Sequence, residues 1–115
     1  MISQDRSPAE SRYGAVLKPK TPEPPPPLVL DTTTQFYRDV KRQEKRGKSL
    51  DKLHEIIETL RTRRPVDPKH KDHPLGGEWK GWRDCHHEPD WVLIYRKDDV
   101  TLELGRTGSH SDLFE

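Results

Sequence analysis

The sequence predicts an α+β domain of βααβββ order, a helical hairpin packed on one face of a mainly antiparallel sheet, preceded by a disordered proline-rich tail. Three observations carry that prediction. The hydrophobic period is near 3.6 residues from Leu50 to Leu60 and becomes two after Trp79. Seven of the eleven prolines (Pro8, Pro19, Pro22 and Pro24 to Pro27) fall within residues 1–27, whereas residues 28–115 hold most of the apolar side chains and all three tryptophans. With 115 residues, 29% of them hydrophobic and 36% charged, the chain has apolar surface for one small domain and not for two.

Each element has its own local cause. Residues 1–27 form the tail, because Pro24 to Pro27 favour an extended polyproline conformation and supply no backbone donors. The domain is expected over residues 28–115. Leu28, Val29 and Leu30 read as a short strand, and Thr32 to Thr34 offer an N-cap for a helix from about Gln35 to Arg46, stopped by Gly47. Ser49 caps the second helix, in which Leu50, Leu53, Ile56, Ile57 and Leu60 share one face until Pro65 closes it. Val66 to Gly77 reads as a loop, holding Pro68, Pro74, Gly76 and Gly77. Trp79, Gly81, Arg83 and Cys85 then alternate with Lys80, Trp82 and Asp84. A β-rich run from Trp91 to Arg96 follows, Asp98-Asp99 makes a hairpin turn, and Val100, Leu102, Leu104 and Arg106 alternate with polar or small residues. A helical hairpin on one sheet face buries one stripe per helix.

Charge divides the molecule. The formal net charge is only +1, yet residues 36–71 hold 12 basic and 6 acidic groups while residues 72–115 hold 5 and 10. A basic helical face is either solvated or set against a phosphate backbone. No stretch approaches the roughly 20 apolar residues of a membrane span. The single Cys85 excludes an internal disulfide framework. The expectation is a cytoplasmic protein without a membrane partner.

Five of the six histidines (His70, His73, His86, His87 and His110) follow residue 69, where an antiparallel meander can bring strand ends together. Three chemistries can use such a set. A zinc site would draw on His70, His73, Cys85 and His86 or His87, but none of the paired Cys/His spacings of structural sites is present, so no metal is expected. A nucleophilic triad would need an activated Cys85, which lies inside a strand alternation where cysteine packs as a small apolar residue. The third is metal-free RNA cleavage, in which a 2′-OH attacks the neighbouring phosphate. It needs a base, an acid and a cation, and His, Asp and Arg supply all three.

The segment Lys71-Asp-His-Pro-Leu-Gly-Gly-Glu-Trp-Lys-Gly-Trp-Arg-Asp-Cys-His-His-Glu-Pro-Asp-Trp-Val-Leu-Ile-Tyr95, followed by Arg106-Thr-Gly-Ser-His-Ser-Asp-Leu-Phe114, resembles the YafQ branch of the RelE/ParE toxin superfamily. The Lys45-Arg-Gly-Lys48 turn also fits, and the likeness covers residues 28–115. It implies a microbial RNase-like domain acting as a ribosome-dependent mRNA endonuclease without a cofactor. It also implies a cognate antitoxin as partner, the ribosome and mRNA as targets, and operator DNA reached only through the antitoxin. Two other readings stay open: a ParE-type toxin that poisons gyrase, and an inactive remnant that only binds antitoxin.

The family's site residues fall on His73, His86, Asp90, Trp91, Arg106, His110 and Phe114. Arg106, permanently charged and fork-shaped, suits the transition-state cation. His110 suits the general acid, and His86 assisted by Asp90 the base, with His73 its rival. Trp91 and Phe114 are expected to stack on an unstacked base. Lys41, Arg42, Lys45 and Arg46 are expected to meet RNA phosphates. His87, where the family usually has an apolar residue, is expected at the surface, and neither Arg106 nor His110 is expected to contribute to core packing.

Overall fold

The computed structural model describes residues 25–114. The expected tail therefore lies outside the described residues apart from Pro25 to Pro27. Among the described residues, five strands and three α-helices follow one another: β1 (Val29–Thr32), α1 (Thr34–Lys45), α2 (Asp51–Arg61), β2 (His73–Pro74), β3 (Arg83–Glu88), β4 (Trp91–Lys97), β5 (Thr101–Gly108) and α3 (His110–Phe114). The sheet order is β1-β5-β4-β3-β2, with β1 parallel to β5 and every other pair antiparallel.

α1 starts where Thr33 Oγ1 accepts from the Phe36 amide at 3.0 Å. The same hydroxyl donates to the Gly105 carbonyl at 2.7 Å, so the cap also attaches the helix to β5. α2 buries Leu53, Ile56 and Leu60, each contributing about 1.5–3 kcal/mol, against Cys85, Trp91, Leu93, Tyr95, Leu102 and Leu104 on one sheet face. On the opposite face Val92 and Ile94 are covered by Leu113 of α3, with Leu75, Trp79 and Trp82 beside them. β4 is thus buried on both faces, which is why Trp91 to Tyr95 reads as a continuous apolar run rather than an alternation.

Three local expectations are corrected. The alternation beginning at Trp79 becomes a strand only at Arg83, because Gly77–Trp79 winds into a 3-10 turn and Gly81 takes φ +94. The stretch that reads as loop contains the short edge strand β2, whose His73 pairs with Asp84. The domain's contacts also begin before Leu28. Arg63, itself at φ +65, donates from Nε to the Pro26 carbonyl at 2.9 Å and from Nη2 to the Asp99 carbonyl at 2.6 Å.

Candidate active site

Cross-strand register builds the site. Asp84 lies opposite Ile94, which lies opposite Arg106, while His86 lies opposite Val92, which lies opposite Gly108. These two rows run across three strands, about 10 Å from first to last. Asp84 and His86, two residues apart on β3, share the sheet face of Val92 and Ile94. After Gly108 the chain turns into α3 and brings the His110 ring back to 5.3 Å from that of His86, with Phe114 5.5 Å beyond it.

The carboxylates sort the imidazoles differently from the sequence expectation. Asp90, expected to assist His86, sits on His110 instead. Its Oδ1 is 3.6 Å from His110 Nδ1 and accepts from the His110 amide at 3.3 Å. The carboxylate beside His86 is Asp84, whose Oδ1 lies 3.5 Å from His86 Nε2 and 3.3 Å from His73 Nδ1. Asp84 is buried, and desolvation raises its pKa against the opposing pull of His73, His86 and His110. Sequence reasoning missed it, although its place two residues before His86 in a strand puts both on one face. His73 stands half exposed at the sheet edge with its Nδ1 also bonded to the Lys71 carbonyl at 2.7 Å. One ligand atom each from Asp84, His86 and His110 lie within 4.8 Å of one another, close enough to share a cation.

Arg106 reaches α1. Its Nε donates to Asp39 Oδ2 at 2.7 Å and its Nη2 to Oδ1 at 3.2 Å, and the Thr107 amide donates to Oδ2 at 3.1 Å. β1 pairs no further than Leu104, so Asp39 takes the place a longer β1 would hold at the edge of β5. Asp39 is completely buried and was the second residue missed; a charge at an apolar-face position of a helix, three residues after Phe36, was its signal.

Burial corrects two expectations. Trp91, 1% exposed, packs in the core against α2 and cannot stack on a base, whereas Phe114 is 38% exposed. His87, expected at the surface, is 4% exposed and packs its ring 4.3 Å from that of Trp91, because it alternates with His86 onto the helical side of the sheet. Burial holds its imidazole down at about 3, so it is neutral, and neither ring nitrogen has a partner among the described residues. Cys85 is buried too, its thiol pushed up to about 12 by desolvation, which suits packing and not nucleophilic attack.

Of the four basic side chains expected on RNA, Arg42 and Arg46 turn to Asp112, while Lys41 and Lys45 are exposed and have no acidic partner among the described residues. Beside the cluster, a groove of about 820 Å³ between α2 and the end of β3 is lined by Lys52, Arg64, Lys69 and Lys71 together with Glu55, Glu58 and Glu88, and shares His86 with the site.

The family model of the bacterial toxin of type II toxin–antitoxin systems, YafQ, matches residues 28–115. The chain belongs to the YafQ family. It is 44% identical over 86 residues to the mRNA interferase toxin YafQ of Escherichia coli strain K12, an alignment covering 74% of this chain and 94% of that one. The E. coli DinJ-YafQ toxin–antitoxin complex superposes with a TM-score of 0.72 at 43% identity, covering 76% of this chain and 98% of that chain. A metal-bound toxin from Helicobacter pylori gives a TM-score of 0.70, also at 43% identity, covering 76% of this chain and 99% of that chain. The expected α+β class, a helical hairpin on a mainly antiparallel sheet, is the fold observed, with β2 and α3 added to the βααβββ order. Among the described residues no helix is long and apolar enough to cross a membrane.

Proposed function

We propose that this chain is the toxin of a type II pair, a cytoplasmic mRNA interferase that cuts ribosome-bound mRNA through side chains alone and is silenced by a cognate antitoxin, as DinJ pairs with E. coli YafQ. The observation that carries the reading is the convergence of His86 and His110, each with its own carboxylate, on one sheet end. In the proposed step the O2′–P bond forms as the P–O5′ bond breaks. His86 takes the 2′-OH proton and His110 gives one to O5′, leaving a 2′,3′-cyclic phosphate and a 5′-OH. Asp90 orients His110 through Nδ1, so that Nε2 faces the leaving oxygen. His73, which shares Asp84 from the edge strand, is the alternative base. Arg106 has Nη1 available for a phosphate oxygen while Asp39 holds its other arm, and Phe114 stacks on a base. Operator DNA is reached through the antitoxin. The intact acid–base pair favours this reading over gyrase poisoning and over an inactive remnant.

Replacing the acid is the test. His110→Ala is expected to slow cleavage of ribosome-bound mRNA by about 100- to 10,000-fold while the far-UV spectrum and melting curve hold, since His110 is exposed. Wild-type cleavage by the folded variant would overturn the assignment. A cation gathered by Asp84, His86 and His110 would occupy the nitrogens that move protons. Chelators are therefore expected to leave cleavage intact on ribosomes kept whole, and added copper or zinc to inhibit it.

A further inference from the structure

The geometry assigns Asp112 as the positioning residue of His110, tying the short helix that carries the acid to α1; the inference rests on the reading of His110 as the acid. A five-residue helix cannot hold itself in water. Leu113 anchors α3 from below and Asp90 accepts from the His110 amide, while the polar contacts that tie α3 to α1 and its C-cap Arg46 pass through Asp112. Its Oδ2 accepts from the Ser109 amide at 2.9 Å while the Asp112 amide donates to Ser109 Oγ at 3.1 Å, a reciprocal cap that closes the turn just before His110. The carboxylate then takes both arms of Arg46, Nη1 at 2.7 Å and Nη2 at 3.0 Å, with Arg42 Nη1 at 3.4 Å.

Space for this is built in. A Cβ on Gly108 would stand 2.9 Å from both Cβ and Oδ2 of Asp112, so the carboxylate packs on a residue that must lack a side chain. Arg42 also lies 3.4 Å from Asp39, the carboxylate that holds Arg106. The acid and the cation are thus both registered to α1, through two carboxylates with one guanidinium between them. Arg42 and Arg46, which the basic composition of α1 marks as RNA-binding, are in this arrangement structural partners of α3.

The test compares Asp112→Asn, Arg46→Gln and Arg46→Lys in the full chain, with steady-state cleavage of ribosome-bound mRNA and amide hydrogen exchange as readouts. Asp112→Asn and Arg46→Gln are expected to lower kcat by about 10- to 100-fold with KM within about twofold, as for misplacement of a catalytic group. Arg46→Lys should recover most of the loss. Exchange of the amides of residues 110–114 should accelerate in the first two variants while those of β4 stay protected. If Asp112→Asn does not fold, Arg46→Gln carries the test, since it changes no residue of α3. A raised KM with unchanged kcat in Arg46→Gln would make Arg46 an RNA-binding cation and overturn the inference. So would wild-type turnover and exchange in Asp112→Asn. If instead His110→Ala kept full activity, the acid assignment would fall, while hydrogen exchange would still report whether Asp112 holds α3.

Discussion

Asp39 is a fully buried carboxylate whose charge is met by the Arg106 guanidinium and the Thr107 amide. Arg106, expected to carry no core packing, is thus the closest cation to a buried charge: Arg106→Ala would leave Asp39 with only the longer 3.4 Å contact to Arg42 and its neutral donors. It is expected to lower unfolding free energy by up to about 3–5 kcal/mol as well as to abolish cleavage. Adding Asp39→Asn should return part of the stability and none of the activity, measured by urea denaturation and mRNA cleavage on the single and double variants. His87 gives a pH signature. The unfolded chain protonates this imidazole below about pH 6.5, whereas burial keeps the folded group neutral down to about 3. The unfolded state binds more protons in that window, so stability is full above it and falls as pH drops, with a slope approaching ~1.4 kcal/mol per pH unit from this group. The Asp112 carboxylate, held well below the usual carboxylate range chiefly by its bond to Arg46, loses its contribution only at lower pH. In His87→Leu the fall between pH 6 and 4 should flatten, with neutral-pH stability unchanged or higher because two unpartnered nitrogens leave the core. An unchanged slope in urea titrations across that range would contradict this account.

At the scale of elements, α1 and its C-cap Arg46 divide Lys41, Arg42, Lys45 and Arg46 between two tasks. Arg42 and Arg46 face acids of the fold, and Lys41 and Lys45 face solvent. Sequence periodicity cannot make that division, because all four occupy one cationic stretch and Asp112, the acid both arginines share, lies far along the chain on α3. Reversing Lys41 and Lys45 to Glu is expected to weaken ribosome binding and to reduce its salt slope by about one for each phosphate no longer neutralised, with the melting curve unmoved. Salt titration of ribosome binding by the wild type and the double variant measures this. The helical stripe of α2, the Asp98 turn, whose carboxylate accepts from Val100 and Thr101 at 2.8 and 2.7 Å, and the apolar run of β4 were all legible beforehand. The short β2 was not, since two residues carry no period and its support is its pairing with β3.

For the whole molecule, the question is where the folded unit begins. Residues 1–24 hold no periodic apolar face to dock, and removing them is expected to leave melting temperature and cleavage within error. Removing Pro25 to Pro27 as well deletes the carbonyl that Arg63 holds, costing about 0.5–1.5 kcal/mol. Melting curves of the two truncations, compared with the full chain, test the boundary. A large loss on removing residues 1–24 would mean that they dock.

Composition, periodicity and turn chemistry by themselves determined one small α+β domain, its order of main elements and the supply of imidazoles, carboxylates and arginine near one end. These are local properties, set by spacing along the chain and by the demands of burial. Tertiary structure alone decided which carboxylate serves which imidazole, that His87 and Trp91 are interior, and that Arg106 is tied to Asp39. Such pairings join residues far apart in the chain, 67 positions in the Arg106 to Asp39 pair. Register across β3, β4 and β5, the length of β1 and the packing of α3 on α1 bring them together, and none of these leaves a period in the sequence.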